Sequence, residues 1–217
     1  MSKENHDHDF NLIYKSFTNT LKNLSHQGYD IEPQKDVSLT ELQNRIETGN
    51  INFLVENKTG DKCYVIYHIM KQLRPSHIHE YIEDIYEFRE ILSKSDQLVI
   101  ITKDNFNFSN KSGLSDTIEK TINGVHEDLK YYINVFPIST LQFCVIEHTL
   151  VPKHIKLNEQ EVLEFMKNYK ITNISNIPTI SKFDPVSKAI GLKPGEICEI
   201  TRQSKTVVES KYYRICI

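Results

Sequence analysis

The chain has 217 residues, of which 39% are hydrophobic and 25% are charged, and its net charge is −3. This composition is typical of a globular protein with one large domain or two small ones, and it does not favour wholesale disorder. The N-terminus is polar and no apolar run reaches about 18 residues, so we expect a soluble intracellular protein without a membrane-spanning helix or a secretory signal. The four cysteines show no CxxC spacing, which predicts buried thiols and neither disulfides nor a zinc site.

Charge divides the chain near residue 147. Residues 1–146 carry 15 basic and 21 acidic side chains, a net charge of −6, whereas residues 147–217 carry 11 and 8, a net charge of +3. Neither half has the strong positive charge of a dedicated nucleic-acid-binding module, so any DNA contact must be local. The sequence predicts a flexible tail over residues 1–9, an N-terminal domain over 10–146 and a C-terminal domain over 147–217.

Apolar periodicity predicts alternating helices and strands in the first half. The predicted elements are, in chain order, a helix from Phe10 to Leu24, a helix from Leu39 to Ile46, a hairpin of strands 52–56 and 63–69, a helix from Ile78 to Leu92 with Phe88 on its buried face, a strand from Gln97 to Thr102, a helix from Thr117 to Tyr132 and a strand from Ile133 to Phe136. Gly28 supplies a left-handed C-cap for the first helix. This order predicts a mixed sheet flanked by helices.

Capping and turn residues define the second half. The signals are, in chain order, a capping box of Asn158 and Glu161, an N-cap at Asp184 followed by Pro185, a left-handed exit at Gly191, a type II turn at Lys193-Pro194-Gly195, and strands over Ile197–Arg202 and Tyr212–Ile217. Together they predict a small α+β module that ends in strands.

The sequence predicts no catalytic, cofactor-binding or metal-binding residue and no cofactor. Its seven glycines are scattered singly, which excludes a phosphate-binding glycine loop, and neither G-x-S-x-G nor H-E-x-x-H occurs. His77 and His79 would point in different directions on a helix, so we interpret them as surface residues. Glu56-Asn57-Lys58 is similar to the E-x-K of metal-dependent nucleases, but no second carboxylate is evident on a neighbouring strand end, and a polar turn is the simpler interpretation.

A loop with basic and aromatic residues follows the predicted strand Gln97–Thr102. Its notable side chains are Lys103, Phe106, Phe108, Asn110, Lys111 and Ser112. Loops after central strands often carry function, and such groups can contact backbone phosphates without reading bases. Alternatively, the two phenylalanines anchor the loop in the core. His148 and His154 flank the junction between the halves, and we interpret them as structural or interface residues.

The second half resembles a known protein family. The segments that carry the resemblance are Glu147–His154, Asp184–Lys188, Gly191–Gly195, Thr201–Ser204 and Tyr212–Ile215. They are similar in kind and order to the shared fifth subunit of eukaryotic nuclear RNA polymerases and to its shorter archaeal counterpart. The first half resembles the jaw domain of that family, most clearly at Gly28-Tyr29 and Ile133–Phe136. Since archaeal versions lack the jaw, the two-domain organisation indicates a eukaryote or a large DNA virus.

The resemblance implies a non-catalytic subunit of a multisubunit DNA-directed RNA polymerase. Its C-terminal assembly domain would dock on the largest subunit, within reach of other subunits, and its jaw would lie beside downstream double-stranded DNA, with weak and non-specific contact. The implied interface residues are His148, Pro152, His154, Asp184, Pro185, Gly191, Gly195, Arg202, Tyr213 and Arg214. The implied DNA-proximal residues are Lys103, Asn110, Lys111 and Ser112, next to a departure at 107–110, where Asn-Phe-Ser-Asn replaces the family's Thr-Pro-Ser-Ala.

The fold class is therefore expected to be α+β, with an N-terminal α/β jaw domain and a small C-terminal α+β assembly domain. No membrane contact is expected. The location would be the nucleus in a cell, or the virion and host cytoplasm for a large DNA virus. Two alternatives stay open: a free-standing metal-dependent nuclease or DNA-repair factor on the same jaw fold, and an adaptor that binds polymerase without being a constitutive subunit.

Overall fold

The computed structural model describes residues 3–105, 113–203 and 208–217, with side chains from Asp9 onward. The chain divides into two compact units, Met1–Phe143 and Cys144–Ile217, here named unit 1 and unit 2. Both units mix helices and strands, so the predicted α+β class is confirmed. No helix in the described ranges is both long enough and apolar enough to cross a membrane.

Unit 1 contains a four-stranded mixed sheet flanked by helices, as predicted. Its elements are α1 (Lys3–His26), α2 (Glu32–Lys35), α3 (Leu39–Glu47), β1 (Phe53–Glu56), β2 (Lys62–His68), α4 (Pro75–Ile82), β3 (Gln97–Thr102), α5 (Gly113–Leu129), β4 (Tyr132–Pro137) and a 3-10 turn over Ile138–Leu141. The strand order is β1-β2-β3-β4. The β1–β2 hairpin is antiparallel, and the other two pairings are parallel.

Helix α1 covers one face of this sheet. Its residues Ile13, Phe17 and Leu24 belong to a buried cluster that includes Val65 and Val99 of the sheet. Strands β3 and β4 are buried along their whole length, as expected of parallel strands covered on both faces.

The C-terminus of α1 has the predicted cap, whereas its N-terminus lies earlier in the chain than predicted. At the C-terminus, Gly28 has φ +90°. The N–H of Gly28 donates to the carbonyl oxygen of Ser25 at 3.0 Å, and the N–H of Tyr29 donates to the carbonyl oxygen of Leu24 at 3.0 Å. These bonds form the predicted left-handed cap. At the other end the helix already begins at Lys3, so the described backbone of residues 3–9 is helical where the sequence favours a flexible tail.

The helix predicted over Ile78–Leu92 is wrong in its second half. Helix α4 ends at Ile82, and a π-helical turn over Glu83–Phe88 follows it directly. Phe88 is 85% exposed, although the α-helical pattern placed it on the buried face. Because i→i+5 bonds replace i→i+4 bonds, each π turn contains about one more residue than an α turn. This extra residue rotates Phe88 towards solvent.

Unit 2 is built on a second four-stranded sheet. Its elements are β5 (Lys153–Lys156), α6 (Glu159–Asn168), a 3-10 turn over Ile174–Asn176, β6 (Thr179–Ile180), α7 (Pro185–Ala189), β7 (Ile197–Arg202) and β8 (Ser210–Cys216). The strand order is β5-β7-β8-β6; β7 is antiparallel to β5 and β8, and β6 is parallel to β8. The sequence predicts β7 and β8 correctly but misses β5 and β6, because neither short strand shows an apolar alternation.

Two local signals predicted for unit 2 are confirmed. Asn158 Oδ1 accepts a bond from the N–H of Glu161 at 2.9 Å, and Glu161 Oε2 accepts one from the N–H of Asn158 at 2.8 Å, which completes the capping box. Gly195 has φ +88°, and the N–H of Glu196 bonds the carbonyl of Lys193 at 3.0 Å, as the predicted type II turn requires.

Each face of the unit 2 sheet has its own apolar cluster, because strand side chains alternate between the two faces. Cys198 and Ile200 belong to the cluster on one face. Ile197 and Ile215 belong to the cluster on the other face, together with Phe165 of α6. All four cysteines of the chain are described, and they are buried and not linked by disulfides, as predicted.

Candidate subunit interface

Several of the predicted interface residues share one face of the unit 2 sheet. In the strand register His154 lies opposite Ile200, and Arg214 lies opposite Cys198. Arg202 lies two residues beyond Ile200 on β7, so its side chain emerges on the same face. We name this surface the basic face and define it by His154, Arg202, Tyr212 and Arg214.

The charge of Asp184 acts on His154, as do the charges of both arginines of the basic face. Burial lowers the pKa of His154, whereas its hydrogen bond to the backbone of Pro152 and the charge of Asp184 oppose that shift. Arg202 and Arg214 lower the same pKa. Because Coulomb effects fall with distance, these three charged groups must lie near the imidazole. His154 Nδ1 lies 2.6 Å from the carbonyl oxygen of Pro152, so Nδ1 is the protonated nitrogen.

Neighbouring groups orient both arginines of the basic face. Arg202 Cζ lies 5.2 Å from the centre of the Tyr212 ring, within cation–π range, and both side chains are exposed. Arg214 Nη1 donates to the carbonyl oxygen of Thr179 at 3.3 Å. A guanidinium held in a fixed orientation is well suited to bind a carboxylate through two parallel hydrogen bonds. The basic face can therefore bind acidic side chains.

Helix α7 follows its N-cap residue Asp184 and contains a buried lysine, Lys188. Asp184 Oδ1 accepts bonds from the N–H groups of Val186 at 2.8 Å and Ser187 at 3.4 Å, which confirms the predicted N-cap. Lys188 is only 5% exposed. Burial lowers its pKa to about 8, and the negative charge of Asp184 opposes that shift. Asp184 thus has a structural role in α7 as well as its position beside the basic face.

Tyr213 lies on the opposite side of the sheet from the basic face. Its ring stacks on that of Phe165 with centroids 4.1 Å apart, and its hydroxyl donates to Glu199 Oε2 at 2.9 Å. The exposed aromatic on the basic face is its neighbour Tyr212. The sequence could not separate these two tyrosines, because adjacent strand residues alternate and the register decides which face stays open.

The other predicted interface residues lie in loops of unit 2 and, for Pro185, at the first position of α7. Gly191 is buried and has φ +66°, so it serves the turn after α7. Of the remaining four, His148, Pro185 and Gly195 are exposed and Pro152 is half-buried.

An open groove adjoins the basic face. It has a volume of about 690 Å³, and its lining includes Pro152, Lys153, Thr201 and Arg202. Leu150 also lines it and is 85% exposed. Glu209 lines it as well, so the groove combines an apolar contact with two positive charges and one negative charge.

Of the predicted DNA-proximal residues, Lys103 alone lies in the described part of the chain. Its Nζ lies 2.9 Å from Asp9 Oδ2, and both side chains are partly exposed. The positive charge of Lys103 is therefore opposed by a carboxylate. The other predicted residues, and the aromatic pair of the same loop, lie outside the described residues: Asn110, Lys111, Ser112, Phe106 and Phe108.

The Glu56-Asn57-Lys58 segment forms a polar turn. Asn57 Oδ1 accepts bonds from the N–H groups of Thr59 and Asp61, each at 2.9 Å. Asn57 Nδ2 donates to Asp61 Oδ2 at 2.8 Å. Within each unit taken by itself, no three histidine, cysteine or acidic side chains of the described residues form an arrangement suited to a metal ion. The polar groups after β1 hold the hairpin turn.

His77 and His79 point in different directions, as predicted. The ring of His77 lies against that of His68, with centroids 4.8 Å apart, while His79 is exposed. His68 Nδ1 lies 2.7 Å from the hydroxyl of Tyr81. The two predicted surface histidines thus do not converge on a common ligand position.

Comparison with known proteins identifies relatives of this chain. Residues 143–216 match the family described as RNA polymerase Rpb5, C-terminal domain. A protein named DNA-directed RNA polymerase subunit Rpo5 from Thermococcus kodakarensis is 42% identical over 76 residues, which are 35% of this chain and 92% of that subunit. The Archaeoglobus fulgidus protein of the same name is also 42% identical, over 77 residues, which are 36% of this chain and 100% of that subunit.

A eukaryotic relative extends along nearly the whole chain. The Dictyostelium discoideum protein named DNA-directed RNA polymerases I, II, and III subunit rpabc1 is 25% identical over 209 residues. This alignment covers 96% of the present chain and 99% of that subunit. None of these relatives supports the nuclease alternative.

Proposed function

This chain belongs to the Rpb5 family of non-catalytic RNA polymerase subunits, and from that premise we propose that unit 2 docks on the largest subunit of a multisubunit DNA-directed RNA polymerase through the basic face. The observation that carries the proposal is the convergence of Arg202, Arg214 and His154 on one sheet face, with Asp184 beside them. These residues come from three separate strands and a helix start.

Physical arguments support an assembly role for unit 2. Its residues carry a net charge of +3, and the exposed arginine Arg202 with Tyr212 is the kind of pair that is enriched at protein interfaces. A domain as small as Cys144–Ile217 buries a smaller fraction of its surface than a larger one does, so docking on a large partner adds burial that the unit lacks alone.

For unit 1 the proposal is a jaw beside downstream double-stranded DNA. Its net charge of −6 and the ion pair between Lys103 and Asp9 limit it to weak, local contact with phosphates. Lys103 and three residues that follow it in the sequence, Asn110, Lys111 and Ser112, are the proposed contact. The proposed location is the nucleus in a cell, or the virion and host cytoplasm if the source is a large DNA virus.

The docking proposal is tested by charge reversal on the full chain. We expect Arg202→Glu with Arg214→Glu to reduce recovery of polymerase on the tagged chain at least about tenfold, because two arginines would become like charges against an acidic partner. The control is Lys167→Glu with Lys170→Glu, which makes the same charge change at the exposed end of α6. Equal recovery with the two double variants would contradict docking through the basic face.

A further inference from the structure

The outer edge of β5 is a row of open backbone hydrogen-bonding groups. β5 is an edge strand, and the N–H of Leu157 bonds the carbonyl of Ile197 at 3.0 Å across the β5–β7 ladder. In an antiparallel ladder, hydrogen-bonded pairs alternate with non-bonded pairs. The N–H and C=O groups of His154 and Lys156 therefore point away from β7. Within the described residues, these two N–H and two C=O groups have no backbone hydrogen-bond partner.

The surroundings of this edge suit an acidic, partly apolar strand. Ile155 is 39% exposed and Lys153 is exposed beside it. The groove at the start of β5 contains Lys153 and Arg202 against the single carboxylate of Glu209, and it exposes Leu150. An incoming carboxylate would meet a net positive charge there.

We infer that β5 accepts an extended, acidic segment of a partner polymerase subunit as an added strand. This inference rests on the proposed function and deepens it, since it states how the partner engages unit 2. Backbone bonds from His154 and Lys156 would supply affinity, and the groove beside Lys153 and Arg202 would select an acidic side chain.

Charge argues against a second copy of this chain as the added strand. Two β5 edges paired antiparallel around Lys153 would bring the positive charge of that lysine in one copy towards the same lysine of the other. Like charges placed opposite each other across strands are destabilising. Lys156 is already paired with Glu196, but Lys153, together with Arg202, would attract an acidic strand, so the edge favours a different partner.

Amide hydrogen exchange on the full chain, alone and assembled in the polymerase, tests the inference. We expect the amides of His154 and Lys156 to exchange rapidly in the chain alone, because they point to solvent, and at least about tenfold more slowly after assembly. Unchanged rapid exchange in an assembled chain would overturn strand addition and leave docking intact. A chain that does not assemble would overturn both the inference and the proposed function.

A matched pair of variants provides a second test. Lys156→Pro removes the outward N–H, and an edge strand tolerates proline where that group faces solvent. Lys156→Ala keeps the N–H but removes the ion pair with Glu196, whose Oε1 lies 2.7 Å from Lys156 Nζ. We expect Lys156→Pro to recover about tenfold less polymerase than Lys156→Ala. Equal recovery with the two variants would overturn the inference, and exchange in the unsubstituted chain decides the question if the proline variant does not fold.

Discussion

Unit 1 and unit 2 are built on sheets with the same number of strands, but they differ in how completely those sheets are covered. In unit 1, β3 and β4 are buried along their whole length. In unit 2, β5 is largely exposed and two small clusters lie on opposite faces of the sheet. Unit 1 thus buries two of its strands completely and one face of β1, whereas unit 2 keeps the edge strand β5 and the basic face at its surface.

The comparisons with relatives show the same contrast. The family match covers 143–216, which nearly coincides with unit 2, while the relative that extends along nearly the whole chain is only 25% identical. Sequence identity to these relatives is thus higher where the match is confined to about the length of unit 2, at 42% over 76 residues, than where it extends along the chain, at 25% over 209 residues. The difference teaches that the unit with the less completely covered sheet is also the unit whose sequence is more similar to the relatives.

The largest expected effect on stability comes from replacing one buried leucine with alanine in each unit. Leu192 of unit 2 and Leu98 of unit 1 are both fully buried. Leu→Ala at such sites costs about 2–5 kcal/mol. We expect Leu192→Ala to unfold unit 2 in the chain alone, because a small domain has little stability to lose, whereas Leu98→Ala should leave unit 1 folded.

Hydrogen exchange resolved by segment measures this pair of variants. Binding to the folded form stabilises it, so assembly in the polymerase should restore unit 2 in Leu192→Ala. If each variant unfolds both units together, this would contradict the expected difference in stability between unit 1 and unit 2.

The second expected effect is that the stability of unit 2 depends on pH through Lys188. The pKa of Lys188 is lowered from 10.5 to about 8 in the folded chain, so the unfolded chain binds this proton more tightly. The Lys188 contribution to the free energy of unfolding should therefore rise between pH 8 and pH 10.5, by about 3 kcal/mol in total. Two thiols of unit 2 act in the opposite direction above about pH 9, because burial raises the pKa of Cys216 to about 12 and also raises the pKa of Cys198. Below pH 8 the destabilisation caused by burying the charged Lys188 is constant. Lys188→Met should remove that destabilisation and its pH dependence, and leave the contribution of the two thiols.

Denaturant unfolding of unit 2 at several pH values measures the Lys188 effect. Lys167→Met is the control, since Lys167 is exposed at the end of α6 and its removal should leave the pH dependence in place. A stability difference between Lys188→Met and the unsubstituted chain that stays constant from pH 8 to 10.5 would contradict the buried position of Lys188.

A smaller effect separates the two roles of Asp184. Asp184→Ala removes the N-cap of α7 and should lower the free energy of unfolding of unit 2 by about 1 kcal/mol. Asp184→Asn keeps a capping oxygen and removes only the charge, so it should lose less. If polymerase recovery falls with Asp184→Asn while stability is retained, the charge itself contacts the partner; equal stability losses in the two variants would show that the cap is unimportant.

The smallest effect concerns the proposed DNA contact of unit 1. Lys103→Glu with Lys111→Glu should weaken crosslinking to downstream DNA by about a few fold without changing assembly, and more at low salt. Asp9→Asn should strengthen crosslinking slightly, because it removes the carboxylate beside Lys103; an exposed ion pair is worth about 0–1 kcal/mol. Unchanged crosslinking in all variants would remove this loop from the DNA path.

Much of the fold could be predicted because it depends on local signals. The capping box at Asn158 and Glu161 and the fully buried strand Gln97–Thr102 each follow from a few adjacent residues. The errors occur where distant pairing or an irregular turn decides. Lys153–Lys156 becomes a strand only because β7 pairs with it, and Phe88 is turned outward by a π-helical turn that the apolar pattern does not reveal.

The candidate site was predictable in its parts and not in its arrangement. Family resemblance indicated Arg202 and Arg214, but the register across β5, β7 and β8 is what brings them to one face with His154. The same register places Tyr213 in the packing against α6 and exposes Tyr212. The burial of Lys188 gave no signal, since lysines are rarely buried and nothing in the adjacent residues marks this one.

The central claim is that this chain is a constitutive, non-catalytic polymerase subunit held through unit 2. Native mass spectrometry of complexes isolated through a tag on the full chain tests it most directly. We predict a single copy of the chain in a complex that contains the largest polymerase subunit, and loss of that complex with Arg202→Glu and Arg214→Glu. Recovery of the unsubstituted chain alone, or in only a small fraction of the polymerase, would contradict the claim.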